Sequence, residues 1–121
     1  MAKIIYQKLV RDLIPFIIKS AGKKAIVRKL EIQERETHVK NKLREETEEL
    51  YSAATKNEIL KESSDLLEVI YAYASLYGIT PAEIESVRQK REASRGAFKE
   101  WLFLDSVFEG DCPQDSNEKP E

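Results

Sequence analysis

The sequence predicts an all-α protein, a small helical bundle. Apolar residues recur at helical spacing from about Glu31 to Ser94, and helix punctuation stands at Gly78 and at Thr80-Pro81-Ala82-Glu83. A charged fraction of 35% beside a hydrophobic fraction of 41% suits helices with one buried and one solvated face. A chain of 121 residues is large enough for one core and too small for two. We expect one domain over residues 1–108, followed by a flexible polar tail over residues 109–121.

The first apolar segment runs from Leu9 to Ser20, with Leu9, Val10, Leu13, Ile14, Ile17 and Ile18 at helix-like spacing. Pro15 interrupts it. The expectation is a short helical turn through Ile14, then a second short helix that starts at Pro15 and ends near Gly22. Lys24 to Leu30 alternates weakly, as an extended link or short strand would.

From Glu31 the pattern is strongly helical. Ile32, Arg35, Val39, Leu43, Glu46 and Leu50 follow one stripe to about Thr55. A break at Lys56-Asn57 separates this from a second helix, Glu58 to Tyr77, with Ile59, Ser63, Leu66, Leu67, Ile70, Tyr73, Ala74 and Tyr77 on one face. Gly78 closes it. Thr80, Pro81 and Glu83 then form an N-cap, a proline at the first helical position and a capping-box glutamate, so a third long helix runs from Pro81 to about Ser94. Ala97 to Phe108 is a separate apolar patch that periodicity assigns to neither helix nor strand.

Charge and composition exclude several classes. Twenty basic residues are offset by twenty-two acidic ones, and a net charge of −2 is no basis for nucleic-acid binding. Nothing approaches the ~20 apolar residues of a membrane span. The first residues, Met1 to Lys8, contain no long apolar signal-peptide core. A soluble, cytoplasmic protein is expected. Cys112, the one cysteine, has no intramolecular partner and fits a reducing compartment.

Two acidic pairs are the most informative chemistry. Glu46 and Glu49 are spaced i, i+3, as are Glu62 and Asp65, so each pair projects from one side of its helix. Most helical glutamates simply face water. Here Glu46 falls on the apolar stripe, three residues after Leu43 and four before Leu50, and Glu62 falls likewise between Ile59 and Leu66. A carboxylate on a buried face is costly unless paired or metal-bound. Four carboxylates brought together by two packed helices repel one another, and a bound cation keeps them ionised. With neither Cys nor His in the set, the preferred ion is Mg²⁺, with Mn²⁺ the alternative, and phosphates are the natural substrate. Glu48 and Glu68 point away from their stripes, while Glu45 lies at the margin of its own. His38 stands outside the acidic set, and Tyr71, Tyr73 and Tyr77 read as core rather than as a base-stacking platform. Trp101 and Phe103 suit a nucleotide pocket or a subunit interface.

These motifs resemble the all-α nucleoside-triphosphate pyrophosphatases, the MazG-like superfamily, whose pattern is ExxE on one helix and ExxD on the next. Glu46-Thr47-Glu48-Glu49 and Glu62-Ser63-Ser64-Asp65 match those two elements. The segments Lys8-Leu9-Val10-Arg11-Asp12-Leu13-Ile14-Pro15 and Lys90-Arg91-Glu92-Ala93-Ser94-Arg95-Gly96-Ala97-Phe98 look like markers of the phosphoribosyl-ATP pyrophosphohydrolase-like, house-cleaning branch. The resemblance covers roughly Tyr6 to Leu104. It implies a MazG-like bundle completed by oligomerisation into a homodimer or larger assembly.

The resemblance further implies hydrolysis between the α- and β-phosphates of a nucleotide, giving a monophosphate and pyrophosphate. The cation would be held by Glu46, Glu49, Glu62 and Asp65. A carboxylate not fully used in ligation, Glu45 or Glu49, would orient or deprotonate the attacking water. Lys8, Arg11, Lys90, Arg91 and Arg95 are the candidates for holding the phosphates, against the plainer reading of solvated cations. Two other functions compete: a true phosphoribosyl-ATP pyrophosphohydrolase of histidine synthesis, and a non-catalytic helical module that docks a basic partner on its acidic face.

Overall fold

The structure, a computed structural model, describes residues 2–110. Cys112 and nearly all of the expected polar tail therefore lie outside the described residues. The regular elements are four helices, α1 (Ile14–Ser20), α2 (Ile32–Ser52), α3 (Lys56–Ser75) and α4 (Pro81–Arg95). The chain divides into two compact units, one ending at Val87 and one beginning at Arg88.

Near the N-terminus a turn at residues 12–13, closed by the Ile14 N–H on the Arg11 carbonyl at 3.0 Å, leads into one short helix, close to the expected turn and helix. Pro15 lacks an N–H and is tolerated only in a first turn, so α1 begins at Ile14 instead of continuing from Leu9. It closes through bonds from the Gly22 N–H to the Lys19 carbonyl at 2.9 Å and from the Lys23 N–H to the Ile18 carbonyl at 3.1 Å. Gly22 takes φ 79, which is open to glycine at no steric cost. Residues 23–31 form a link with no regular structure.

The break between the long helices falls at residues 53–55, not at Lys56-Asn57, because Thr55 caps α3. Its hydroxyl accepts from the Glu58 N–H at 3.1 Å, and the Glu58 carboxylate accepts from the Thr55 N–H at 3.1 Å. This reciprocal capping box was legible in Thr55-Lys56-Asn57-Glu58. At the other end, the Gly78 N–H donates to Ser75 and the Ile79 N–H to Ala74, each at 3.1 Å, with Gly78 at φ 71. Thr80 and Glu83 cap α4 in the expected way: Thr80 N–H to Glu83 at 2.9 Å, Glu83 N–H to the Thr80 hydroxyl at 3.1 Å.

α2 packs against α3. Contacts pair the start of α2 with the end of α3 and the end of α2 with the start of α3, so the two run antiparallel. Val39 of α2 and Val69 of α3 are the buried hydrophobic residues among those described. The inward face of α3 is rotated from the expected one: Glu62, Asp65, Leu66, Val69 and Tyr73 are buried or half-buried, whereas Ile59, Ser63, Leu67 and Ile70 are exposed. The apolar arc of α3 is wider than one partner helix covers. Tyr77 is exposed rather than core, and its hydroxyl donates to the Glu36 carboxylate. Lys40 pairs with Glu36 at 3.0 Å, and the Tyr73 and Tyr77 rings meet edge to face at 5.9 Å. His38 is half-buried on α2.

In the second unit, α4 continues from Arg88 to Arg95 with an Arg88–Glu92 ion pair one turn long at 2.9 Å. Residues 96–110 have no helix or strand, and Phe98, Trp101, Leu102, Phe103 and Phe108 are all exposed.

Candidate metal centre

Glu46 lies on the α2 stripe that turns toward α3, and Glu62 and Asp65 lie one turn apart on the facing side of α3. Each of the three offers a carboxylate oxygen within 4.8 Å of the others. Their side chains are 13%, 14% and 25% exposed, so two helices of ordinary packing carry acidic groups into a half-buried seam. Carboxylate oxygens at that mutual distance, with no sulfur or imidazole, fit a hard divalent cation.

Glu49 is not part of this group. It is exposed, and with Glu45, Glu48, Asn41, Arg44 and Ser52 it lines an open cleft of about 410 Å³ along the neighbouring face of α2. Glu45 belongs to both features. It is half-buried beside Glu46, yet its carboxylate also borders the cleft. Glu48 and Glu68 are exposed, as the stripe geometry requires.

Four cations surround the acidic seam. The Lys8 ammonium donates to Glu45 at 3.1 Å, and the Arg11 guanidinium donates to Asp65 at 3.2 Å. Gln7 has φ 49, a left-handed turn in the backbone immediately before Lys8. Lys42 lies 3.4 Å from both Glu45 and Glu46, and Lys61 lies 3.3 Å from Glu62 and 3.2 Å from Asp65. Sequence reasoning named Lys8 and Arg11 but missed Lys42 and Lys61. The signal was present: Lys42 stands three and four residues before Glu45 and Glu46, and Lys61 four before Asp65.

Partial burial works to raise the Glu45 carboxyl, but the hydrogen bond from Lys8 and the charges of Lys42 and Lys8 together hold it below the ordinary carboxylate value. Hydrogen bonds to Asp65 and then Glu62, with the charges of both, raise the Lys61 ammonium above its ordinary value. The centre is thus a set of carboxylates interleaved with cations, three of the carboxylates grouped closely enough that they could hold a metal ion.

Lys90, Arg91 and Arg95 are exposed on the part of α4 that belongs to the second unit. Arg91 and Arg95 follow one another by one turn there.

Compared with models of known families, residues 19–92 match the phosphoribosyl-ATP pyrophosphohydrolase model. That span contains Glu45, Glu46, Glu49, Glu62 and Asp65, and it excludes Lys8, Arg11 and Arg95. Neither the curated proteins nor the solved structures contain a match to this chain.

Proposed function

The chain belongs to the phosphoribosyl-ATP pyrophosphohydrolase family, within the MazG-like all-α superfamily, and from that membership we propose a Mg²⁺-dependent nucleotide pyrophosphohydrolase that cleaves between the α- and β-phosphates. The observation that carries the reading is the half-buried group of Glu46, Glu62 and Asp65 with Lys8 and Arg11 at its edge. Family membership supports nucleotide pyrophosphohydrolase chemistry; the metal, the bond and the triphosphate substrate are our reading of this centre.

Glu46, Glu62 and Asp65 would hold the cation. Glu49 is the fourth ligand the motif suggests, and it stands one helical turn from Glu46, exposed and with no side-chain hydrogen bond or ion pair among the described residues. When bound, Mg²⁺ supplies charge neutralisation of the phosphates and acidifies a water. Glu45 and Glu49 are the candidates to orient that water. Glu45, held ionised by Lys8 and Lys42, is a constant but weak proton acceptor, because a lowered pKa reduces its driving force. Glu49 keeps its lone pairs for a water or for the cation. Lys8 and Arg11 are assigned to the phosphates, with Lys90, Arg91 and Arg95 as the further candidates.

Phosphoribosyl-ATP is the second reading, favoured by the description of the matching family model. It presents the same phosphoric anhydride. A docking module for a basic partner is disfavoured by burial, since Glu46 and Glu62 are only 13% and 14% exposed.

The proposal includes a homodimer or larger homo-oligomer. Exposed Ile59, Leu67 and Ile70 on α3, and Phe16 and Ile17 on α1, are apolar surface of the kind that a partner covers. Among the described residues, no helix is long and apolar enough to cross a membrane. Nucleic acid and membrane are not among the proposed partners, and the expected cytoplasmic location stays with the proposal.

The deciding assay is pyrophosphate release from a panel of nucleoside triphosphates and phosphoribosyl-ATP, first with Mg²⁺ and then with excess EDTA. Metal-dependent pyrophosphate with a matching monophosphate is the expected result. Orthophosphate as the direct product would place cleavage at another bond and overturn the reading.

A further inference from the structure

Lys42 is the least exposed of the four cations at the acidic seam. Its side chain is 15% exposed, against 41% for Lys8, 57% for Arg11 and 69% for Lys61. It sits on the inward stripe of α2 and lies 3.4 Å from Glu45 and from Glu46 at once. Lys40, two residues earlier, shows the ordinary alternative: it is 53% exposed and pairs with Glu36 away from the seam.

We propose that Lys42 is an internal counter-ion that a divalent cation must displace from Glu46, and that the displaced ammonium turns to the phosphates of the incoming substrate. The proposal rests on the metal-dependent reading above and makes Lys42 a substrate-binding residue within it.

The charge balance is the reason. Glu45, Glu46, Glu62 and Asp65 face Lys8, Arg11, Lys42 and Lys61, so four negative charges meet four positive ones. A free cation therefore enters a locally neutral site and meets a fixed ammonium beside one of its own ligands. Lys8, Arg11 and Lys61 can turn into water at little cost when their carboxylates are taken. Lys42 cannot, because it is half-buried: losing Glu46 leaves it only Glu45, which it shares with Lys8, and water does not restore the stabilisation lost. A triphosphate arriving with its cation resolves the conflict. Its oxygens give the ammonium a new partner while the carboxylates take the metal. Cation and triphosphate thus favour each other's binding, and by linkage the effect is reciprocal.

The test is the affinity for Mn²⁺ alone, followed by electron paramagnetic resonance on the full chain, for wild type, K42M and K42R. A unit charge about 5 Å from a divalent ion in a water-like dielectric opposes binding by on the order of tenfold. K42M is expected to bind Mn²⁺ tighter by that factor, whereas K42R stays near wild type. At saturating metal, K42M should show a raised KM for the triphosphate. K42Q, read beside far-UV circular dichroism, replaces K42M if the apolar variant fails to fold.

Unchanged or weaker Mn²⁺ binding by the neutral variant would overturn the role given to Lys42, as would equal tightening in K42R. A wild type that binds Mn²⁺ and turns over, with a neutral variant of unaltered affinity, sinks this inference alone. If neither wild type nor the neutral variant binds Mn²⁺, with or without triphosphate, the metal reading and the inference fall together.

Discussion

Arg11 and Asp65, fifty-four residues apart in sequence, are joined by a guanidinium–carboxylate hydrogen bond of 3.2 Å. The contact ties the irregular N-terminal segment to the middle of α3. It also leaves a cation beside one of the three carboxylates grouped at the seam. Lys61 contacts the other oxygen of Asp65 at 3.2 Å, so both oxygens of this carboxylate have charged partners.

R11Q is accordingly expected to lower kcat/KM by roughly tenfold to a hundredfold, the range of a lost charge-assisted hydrogen bond. Helix content should not change, because Arg11 precedes α1. Steady-state kinetics beside far-UV circular dichroism checks both halves, and an unaltered kcat/KM would remove Arg11 from the phosphate site.

E46Q keeps the size of the side chain and removes its charge. Metal-dependent turnover should be lost while the far-UV spectrum stays as in wild type. E68Q is the paired control, since Glu68 is exposed on α3 and outside the acidic group, and it should retain full activity. Full activity in E46Q would undo the assignment of the centre.

T55A removes the hydroxyl that accepts from the Glu58 N–H at the start of α3. The loss should cost about 1 kcal/mol of stability, the usual value of an N-cap. Urea denaturation followed by circular dichroism measures it, with a lowered midpoint and an unchanged slope.

Acid should loosen the start of α2. The bidentate bond from Arg28, at 2.8 and 2.9 Å, and the Glu31 N–H hold the Glu34 carboxyl down at about 2, below its ordinary 4.5. A depressed folded-state value stabilises above the unfolded pKa, and the contribution is lost as pH falls from about 4.5 through about 2. E34Q should lose that part of the acid dependence. Thermal midpoints of the two proteins between pH 5 and pH 2 give the comparison, and parallel curves would discount the clamp.

Much of this was legible from residue order. Helical periodicity and the Thr80-Pro81-Ala82-Glu83 signature located α2, α3 and α4 to within about a turn. The capping box at Thr55 is equally local, but the apolar stripe of α2 runs on to Thr55 and masks it. Capping and periodicity are short-range, so a linear chain displays them. The inward position of Glu46 could be read in the same way, from its distance to Leu43 and Leu50, and its 13% exposure agrees.

Other features depend on contacts between segments distant in the chain. Periodicity put Glu46 and Glu49 on one side of a helix, and the packing of α2 on α3 buries Glu46 more deeply than Glu49. Glu46 enters the three-carboxylate group, and Glu49 remains on the exposed cleft. A rotation of tens of degrees about a helix axis decides between those outcomes, and i, i+3 spacing does not resolve it. The inward face of α3 turned for the same reason, with Val69 rather than Ile59 or Ile70 meeting α2.

The sequence by itself determined the all-helical class, the cap positions and the acidic motif, because each follows from interactions within a few residues. The tertiary structure alone decided which carboxylates share a seam and which cations stand among them. Lys8 meets Glu45 across thirty-seven residues and Arg11 meets Asp65 across fifty-four. No local periodicity encodes such distances; they are set by how two antiparallel helices and an irregular N-terminal segment pack.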